Sequence, residues 1–164
     1  MIRTGIACAA IVALAGIAQA GIWNEAGDAG ELPGTAQTPL GSGDINMIFG
    51  VLDNDADMYL INIHTPAQFL ATTSGNLTDM DTQLFLFDAS GFGVTHNDDD
   101  PLNPVLQSRI TGTFVPAPGL YYLAIASYDY DPLSAGGEIW LDQPFGLERA
   151  PDGPGAGGSI VGWD

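Results

Sequence analysis

Carboxylates crowd the turns of this chain. Asp98, Asp99 and Asp100 follow Asn97 in "GVTHNDDDPLNP", Asp79 and Asp81 flank Met80 in "SGNLTDMDT", and Asp53, Asp55 and Asp57 alternate in "DNDAD". Oxygen donors of this kind suit a hard divalent cation, and calcium accepts roughly six to eight of them in the irregular geometry that loops provide. Two carboxylates about 5 Å apart repel by roughly 3 kcal/mol at an effective dielectric near 20. No lysine stands anywhere in the sequence to offset that repulsion. Two clusters are therefore expected as calcium sites. One joins Asp79 and Asp81 with Asn97, Asp98 and Asp99, brought together by strand pairing around a hairpin at Asp88; the weaker one is Asp53, Asp55 and Asp57. The competing reading is that these acids are solvated loop ends, since loops select Asp for turn geometry alone.

Other chemistry finds little support. In "DNDAD" the three aspartates fit the first, third and fifth positions of an EF-hand, but the sixth is Met58 where glycine is needed and the twelfth is His64 where glutamate is needed. The segment reads instead as the entry to a strand. There is no G-x-S-x-G elbow and no H-E-x-x-H, and the one cysteine, Cys8, lies in an apolar N-terminal stretch. His64 and His96 are the only histidines, too few for a zinc site, and both are expected to be solvated loop residues. Carboxylate pairs of the glycosidase type occur by chance in any acidic chain and carry little weight. The sequon Asn76-Leu77-Thr78 matches the glycosylation pattern with nothing else to support it.

Charge narrows the partners. The chain has 164 residues and a formal net charge of −17, with sixteen Asp and four Glu against Arg3, Arg109 and Arg149. So few cations exclude nucleic acid and anionic membrane surfaces, which need Lys and Arg. Residues 1–20 read as an export signal: Arg3 as the positive start, "GIACAAIVALAGI" as the apolar core and Ala18-Gln19-Ala20 as a small-x-small cleavage site. The apolar stretch is shorter than the roughly 20 residues of a membrane span, so no membrane insertion is expected after its removal. The mature protein is expected to begin at Gly21, without cysteine, and to be secreted, periplasmic or held at the cell surface.

The elements that must position the acids are short and extended. Residues 21–43 read as a flexible N-terminal arm rich in Gly, Pro and Thr, residues 44–145 as one domain, and residues 146–164 as a Gly/Pro-rich tail. Within the domain, "INMIFGVL", "DMYLINI", "QFLATTS", "QLFLFD", "RITGTFV", "LYYLAIASY" and "EIWLD" alternate with turn signals at short intervals. That pattern predicts an all-β, jelly-roll-like antiparallel sandwich of about 8 strands. No window keeps a helical period free of Gly or Pro. Residues 119–127 alternate Leu120, Tyr122, Ala124 and Ala126 with Tyr121, Leu123, Ile125 and Ser127, apolar on both sides, and so predict a central strand.

In order and spacing, "GVLDNDADMYLINI", "DMDTQLFLFDASGFGVTHNDDD" and "SRITGTFVPAPGLYYLAIASYD" resemble the bacterial pre-peptidase C-terminal domains of secreted proteins, from about Asp44 to Asp131. The resemblance implies a non-catalytic, jelly-roll-like sandwich outside the cell, with calcium bound in some members. Here no protease is attached. Relatives usually continue past a "GW" like Gly162-Trp163 into one more strand, whereas this sequence ends at Asp164, which leaves a missing last strand or a fragment as open readings. The function expected is an exported, non-enzymatic binding or accessory module, stabilised by calcium, whose partner is an extracellular protein or polysaccharide. A structural matrix component without a discrete ligand and a secreted hydrolase are the alternatives.

Overall fold

The computed structural model describes residues 21–39, 44–75, 78–102 and 106–164. The expected signal peptide and the residues Asn76 and Leu77 of the sequon lie outside them. Eleven short strands are found among the described residues: β1 (Gly21–Asn24), β2 (Ile45–Phe49), β3 (Ala56–Ile63), β4 (Leu70–Thr72), β5 (Thr82–Asp88), β6 (Gly93–Asn97), β7 (Arg109–Thr111), β8 (Gly119–Ser127), β9 (Pro132–Ser134), β10 (Gly137–Glu138) and β11 (Ile160–Trp163). Two 3-10 turns, at Pro66–Gln68 and Gly112–Phe114, are the helical content of the described residues. The all-β class is as the alternation predicted; the count exceeds eight because β1 forms in the arm, β11 in the tail, and the short β9 pairs with β10 and β11.

The main sheet has the order β3-β8-β5-β6 and is antiparallel throughout. β8 and β5 are its inner strands, and β8 pairs Ala126 with Ala56 of β3 and with Gln83 of β5. Strand side chains alternate between faces, so β3, β5 and β8 build two cores. On one face Ala56, Met58, Phe85, Phe87, Ala124 and Ala126 pack with Ile139, Trp140 and Ile160. The alanines leave room for the rings: Trp140 meets Phe87 edge-on at 5.7 Å and Phe85 at 5.5 Å. Gly93 is part of the same fit, because a Cβ there would stand 2.6 Å from the Trp140 ring. On the other face Ile63, Leu84, Leu86 and Tyr121 pack with Ile110 and Val115, beneath the β4-β7 ribbon.

The segments outside the expected domain also contribute strands. From the N-terminal arm, β1 pairs in parallel with β2, Ala29 is buried, and Gln37 bridges to Tyr59 on the outer edge of β3. From the tail, β11 pairs with β9, and the Trp163 indole donates to the Glu31 carbonyl at 2.9 Å. No helix among the described residues is long and apolar enough to cross a membrane.

Candidate metal centres

Two acidic triads form among the described residues. In the first, β5–β6 pairing sets Leu84 opposite Asn97, which places the residue before β5 beside those after β6. One carboxylate oxygen each from Asp81, Asp98 and Asp99 then falls within 4.8 Å of the other two. In the second, the arm folds against the entry of β3 and brings Glu25 and Asp28 to Asp57 at the same spacing. Both triads could hold a metal ion.

The electrostatics of the two triads match. Asp98 is buried, and burial, with Asp99, Asp81 and Asp131 nearby, pushes its carboxyl up to about 7. Burial likewise raises Asp57 to about 7, with Glu25, Asp55 and Asp28 adding to it. Asp81 is raised by burial and by Asp99. Asp131, held by the Gln83 amide at 3.2 Å, is pushed up to about 6 by burial. The Oδ1 atoms of Asp57, Asp81 and Asp98 are buried and have no hydrogen-bond partner among the described residues. A buried carboxylate without a partner is costly, and such a group either keeps its proton or coordinates a cation.

Among the described residues, Arg149 is the cation that acts on Asp98. Arg149 is buried and its guanidinium is engaged by Asp152 at 3.1 Å and by the carbonyls of Leu141 and Pro144. Its effect on Asp98 is the last and only lowering influence among five.

The expected ligands are distributed unevenly. Asp81, Asp98 and Asp99 come together as expected, but Asp79 is exposed and lies outside the triad. Asn97 is tied to the backbone on both sides: its amide donates to the Asp99 carbonyl at 2.8 Å and the Phe145 carbonyl at 3.3 Å, and its Oδ1 accepts from the Arg109 N–H at 2.8 Å. That side chain fixes the backbone on which Asp98 and Asp99 ride. Asp100 is also buried, with its oxygens accepting from the Leu102 N–H and the Ser74 hydroxyl. Asp88 caps the hairpin turn through the Ser90 and Phe92 N–H groups.

Of the weaker expected cluster only Asp57 belongs to a triad. Asp53 and Asp55 line an open depression with Asp28, and Asp55 Oδ1 accepts from the Asp53 N–H at 3.0 Å, a local turn bond. Sequence reasoning missed Glu25 and Asp28, which sit in the segment read as a loose arm. Glu25 is the more firmly placed: its oxygens accept from the Ala29 N–H at 2.7 Å, the Val51 N–H at 3.0 Å and the Tyr59 hydroxyl at 3.2 Å. An acid three residues before another in a Gly-rich stretch was the only signal.

His96 corrects another expectation. It is not a solvated loop residue but lies in β6 at 1% exposure, stacked on Phe85 at 4.6 Å, with neither ring nitrogen partnered among the described residues. Burial, then Arg149, lowers it to about 3. Comparison with protein-family models, with curated proteins and with solved structures finds no match to this chain. What the triads do therefore rests on their geometry.

Proposed function

We propose that the protein is an exported, non-enzymatic β-sandwich that serves as a binding or accessory module at the cell surface or outside the cell, with calcium completing its fold at the two acidic triads. The observation that carries the metal reading is the pair of buried Oδ1 atoms of Asp57 and Asp98, without partners among the described residues and each inside a triad of carboxylates. Calcium is favoured over zinc because every donor is oxygen, and over magnesium because the irregular backbone at both places does not impose an octahedron. The non-enzymatic reading is supported by His96, one of the two histidines, being sealed in an aromatic core where it meets no solvent. Export is supported by the leader-like residues 1–20.

Calorimetric titration tests the metal reading. Calcium is expected to bind at two equivalents per chain with proton release, because carboxyls near pKa 7 must ionise to coordinate. No calcium heat, with a melt unchanged by chelator, would sink it. N-terminal sequencing of exported material should read from Gly21; retention in the cytoplasm with Met1 intact would contradict the export reading.

A further inference from the structure

The second face of the main sheet is only partly covered. Between β2 and β4 it leaves a cleft of about 930 Å³ whose floor includes Ile61, Leu84, Leu123 and Ile125. Phe49, Leu70 and Leu120 line it and are each about half exposed, at 50%, 52% and 52%. Large apolar side chains gathered at one open site mark a surface that binds something.

Backbone chemistry selects the kind of occupant. β2 pairs only with β1 and β4 only with β7 among the described residues, so each lines the cleft with one edge lacking a strand partner. β3 adds a third such edge. Its Met58 carbonyl and Leu60 N–H point away from β8, where Gln37 takes both. By the two-residue repeat of a strand, the Asn62 N–H and carbonyl point the same way, and they have no main-chain partner among the described residues. Free N–H and carbonyl groups beside apolar pockets are what an added strand uses. A lipid or an apolar small molecule would leave them unmet.

Charge selects the sequence of that strand. Asp44 lines the cleft, the Glu25–Asp28–Asp57 triad beside it stays net negative even with one divalent cation against its three carboxylates, and no Arg or Lys among the described residues lines it. A second copy of this chain, at a net charge of −17, would meet like charge there. We propose that the cleft takes an extended segment of a partner protein, with apolar residues alternating with Lys or Arg, as an added β-strand. This rests on reading the chain as a binding module and names the class of its partner.

The test uses a fluorescent peptide of about eight residues alternating Val and Lys, with the calcium-loaded protein at about 150 mM salt, read by anisotropy. It is expected to bind at least about tenfold tighter than a Val and Glu counterpart, and tighter by as much than a Lys peptide interrupted by Pro, which cannot pair as a strand. Leu70→Asn with Leu120→Asn, both exposed positions, should weaken binding at least about fivefold and leave the melting temperature unchanged. Three results would overturn the proposal. They are no binding up to millimolar peptide, equal binding of the Pro-interrupted peptide, or self-association of the protein that the double variant abolishes. Calcium heats measured on the same sample keep the two readings apart. Intact calcium binding without peptide discrimination sinks the cleft alone, and discrimination without calcium heat supports the cleft while sinking the metal reading.

Discussion

The two acidic triads hold the same chemistry on very different scaffolds. Asp81, Asp98 and Asp99 come from either end of one hairpin, β5–β6, at the end of the main sheet. Glu25, Asp28 and Asp57 come from segments that meet only because the arm docks on β3. A cation in the first would clamp the open end of a hairpin that strand pairing already holds together. A cation in the second would tie a separate stretch of chain to the domain, so its removal is expected to loosen β1 and β2 while leaving the main sheet paired. Identical ligands thus have a local consequence at one triad and a long-range one at the other.

The largest expected effect is loss of both ions at once. A site filled at about a hundred times its Kd stabilises by roughly 2.7 kcal/mol, and in a domain of this size each kcal/mol moves Tm by about 2 to 4 °C. Chelation at pH 8 should therefore lower Tm by about 10 °C or more, followed by dichroism. If the triads differ as their scaffolds do, hydrogen exchange in chelator should rise first in β1 and β2 and last in β8.

Single substitutions separate the triads and should change sign with calcium. Burial and the neighbouring carboxylates push Asp57 and Asp98 from the ordinary carboxyl range up to about 7, so each is penalised when ionised without a cation. Asp98→Asn and Asp57→Asn each remove one such charge. Each variant should melt several degrees above the unsubstituted protein in chelator at pH 8 and below it in excess calcium. Each should also take up one calcium fewer. Only Asp57→Asn should speed exchange in β1 when calcium is present. A variant that melts lower in both conditions would mean that the carboxylate is a structural acceptor and not a ligand.

A smaller effect follows from pH. Carboxyls whose folded pKa is raised hold their protons more tightly in the folded state, so their contribution to stability is complete below about pH 4 and is lost as pH rises through about 7. In chelator, Tm should fall between pH 5 and pH 8 by a few degrees beyond any background trend, and calcium should cancel that fall. A Tm that rises over this window in chelator would contradict the raised values. The smallest effect is expected at Asp79 and Asp53, which are exposed and outside both triads: Asp79→Ala and Asp53→Ala should leave calcium stoichiometry unchanged and Tm within about 1 °C.

Much of the sheet was legible because its strands obey a simple rule. In β8 the alternation separated Tyr122, Ala124 and Ala126 from Tyr121, Leu123 and Ile125 as the two cores do, and Phe85 and Phe87 separate from Leu84 and Leu86 in β5 as a two-residue period demands. The Asp81–Asp98–Asp99 triad was legible for the same reason, since pairing around a hairpin is local. Glu25 and Asp28 were not, because their docking depends on a parallel pairing of β1 with β2 that no local pattern specifies. His96 was misread because its sequence neighbours are polar, while its burial comes from Trp140 and from the Arg149 backbone bridge far along the chain. Asn97 is expected as a ligand because its type suits calcium; the trio of backbone groups that its amide meets in space was not legible, since Phe145 and Arg109 come from elsewhere in the chain.

The strand order of the main sheet also sets a timetable for folding. In β3-β8-β5-β6 only β5 and β6 are neighbours in both sequence and space; β3 must wait for β8, which pairs Ala126 with Ala56. Closing so long a loop before its contacts form is slow, and sheets of this kind fold in milliseconds to seconds where helical bundles take microseconds. As the chain emerges from its N-terminus, the β5–β6 hairpin is the first part of the sheet able to form, with three carboxylates pressed together at its open end. The arrival of β8, the last of the four strands along the chain, is the event that closes the sheet and separates its two cores.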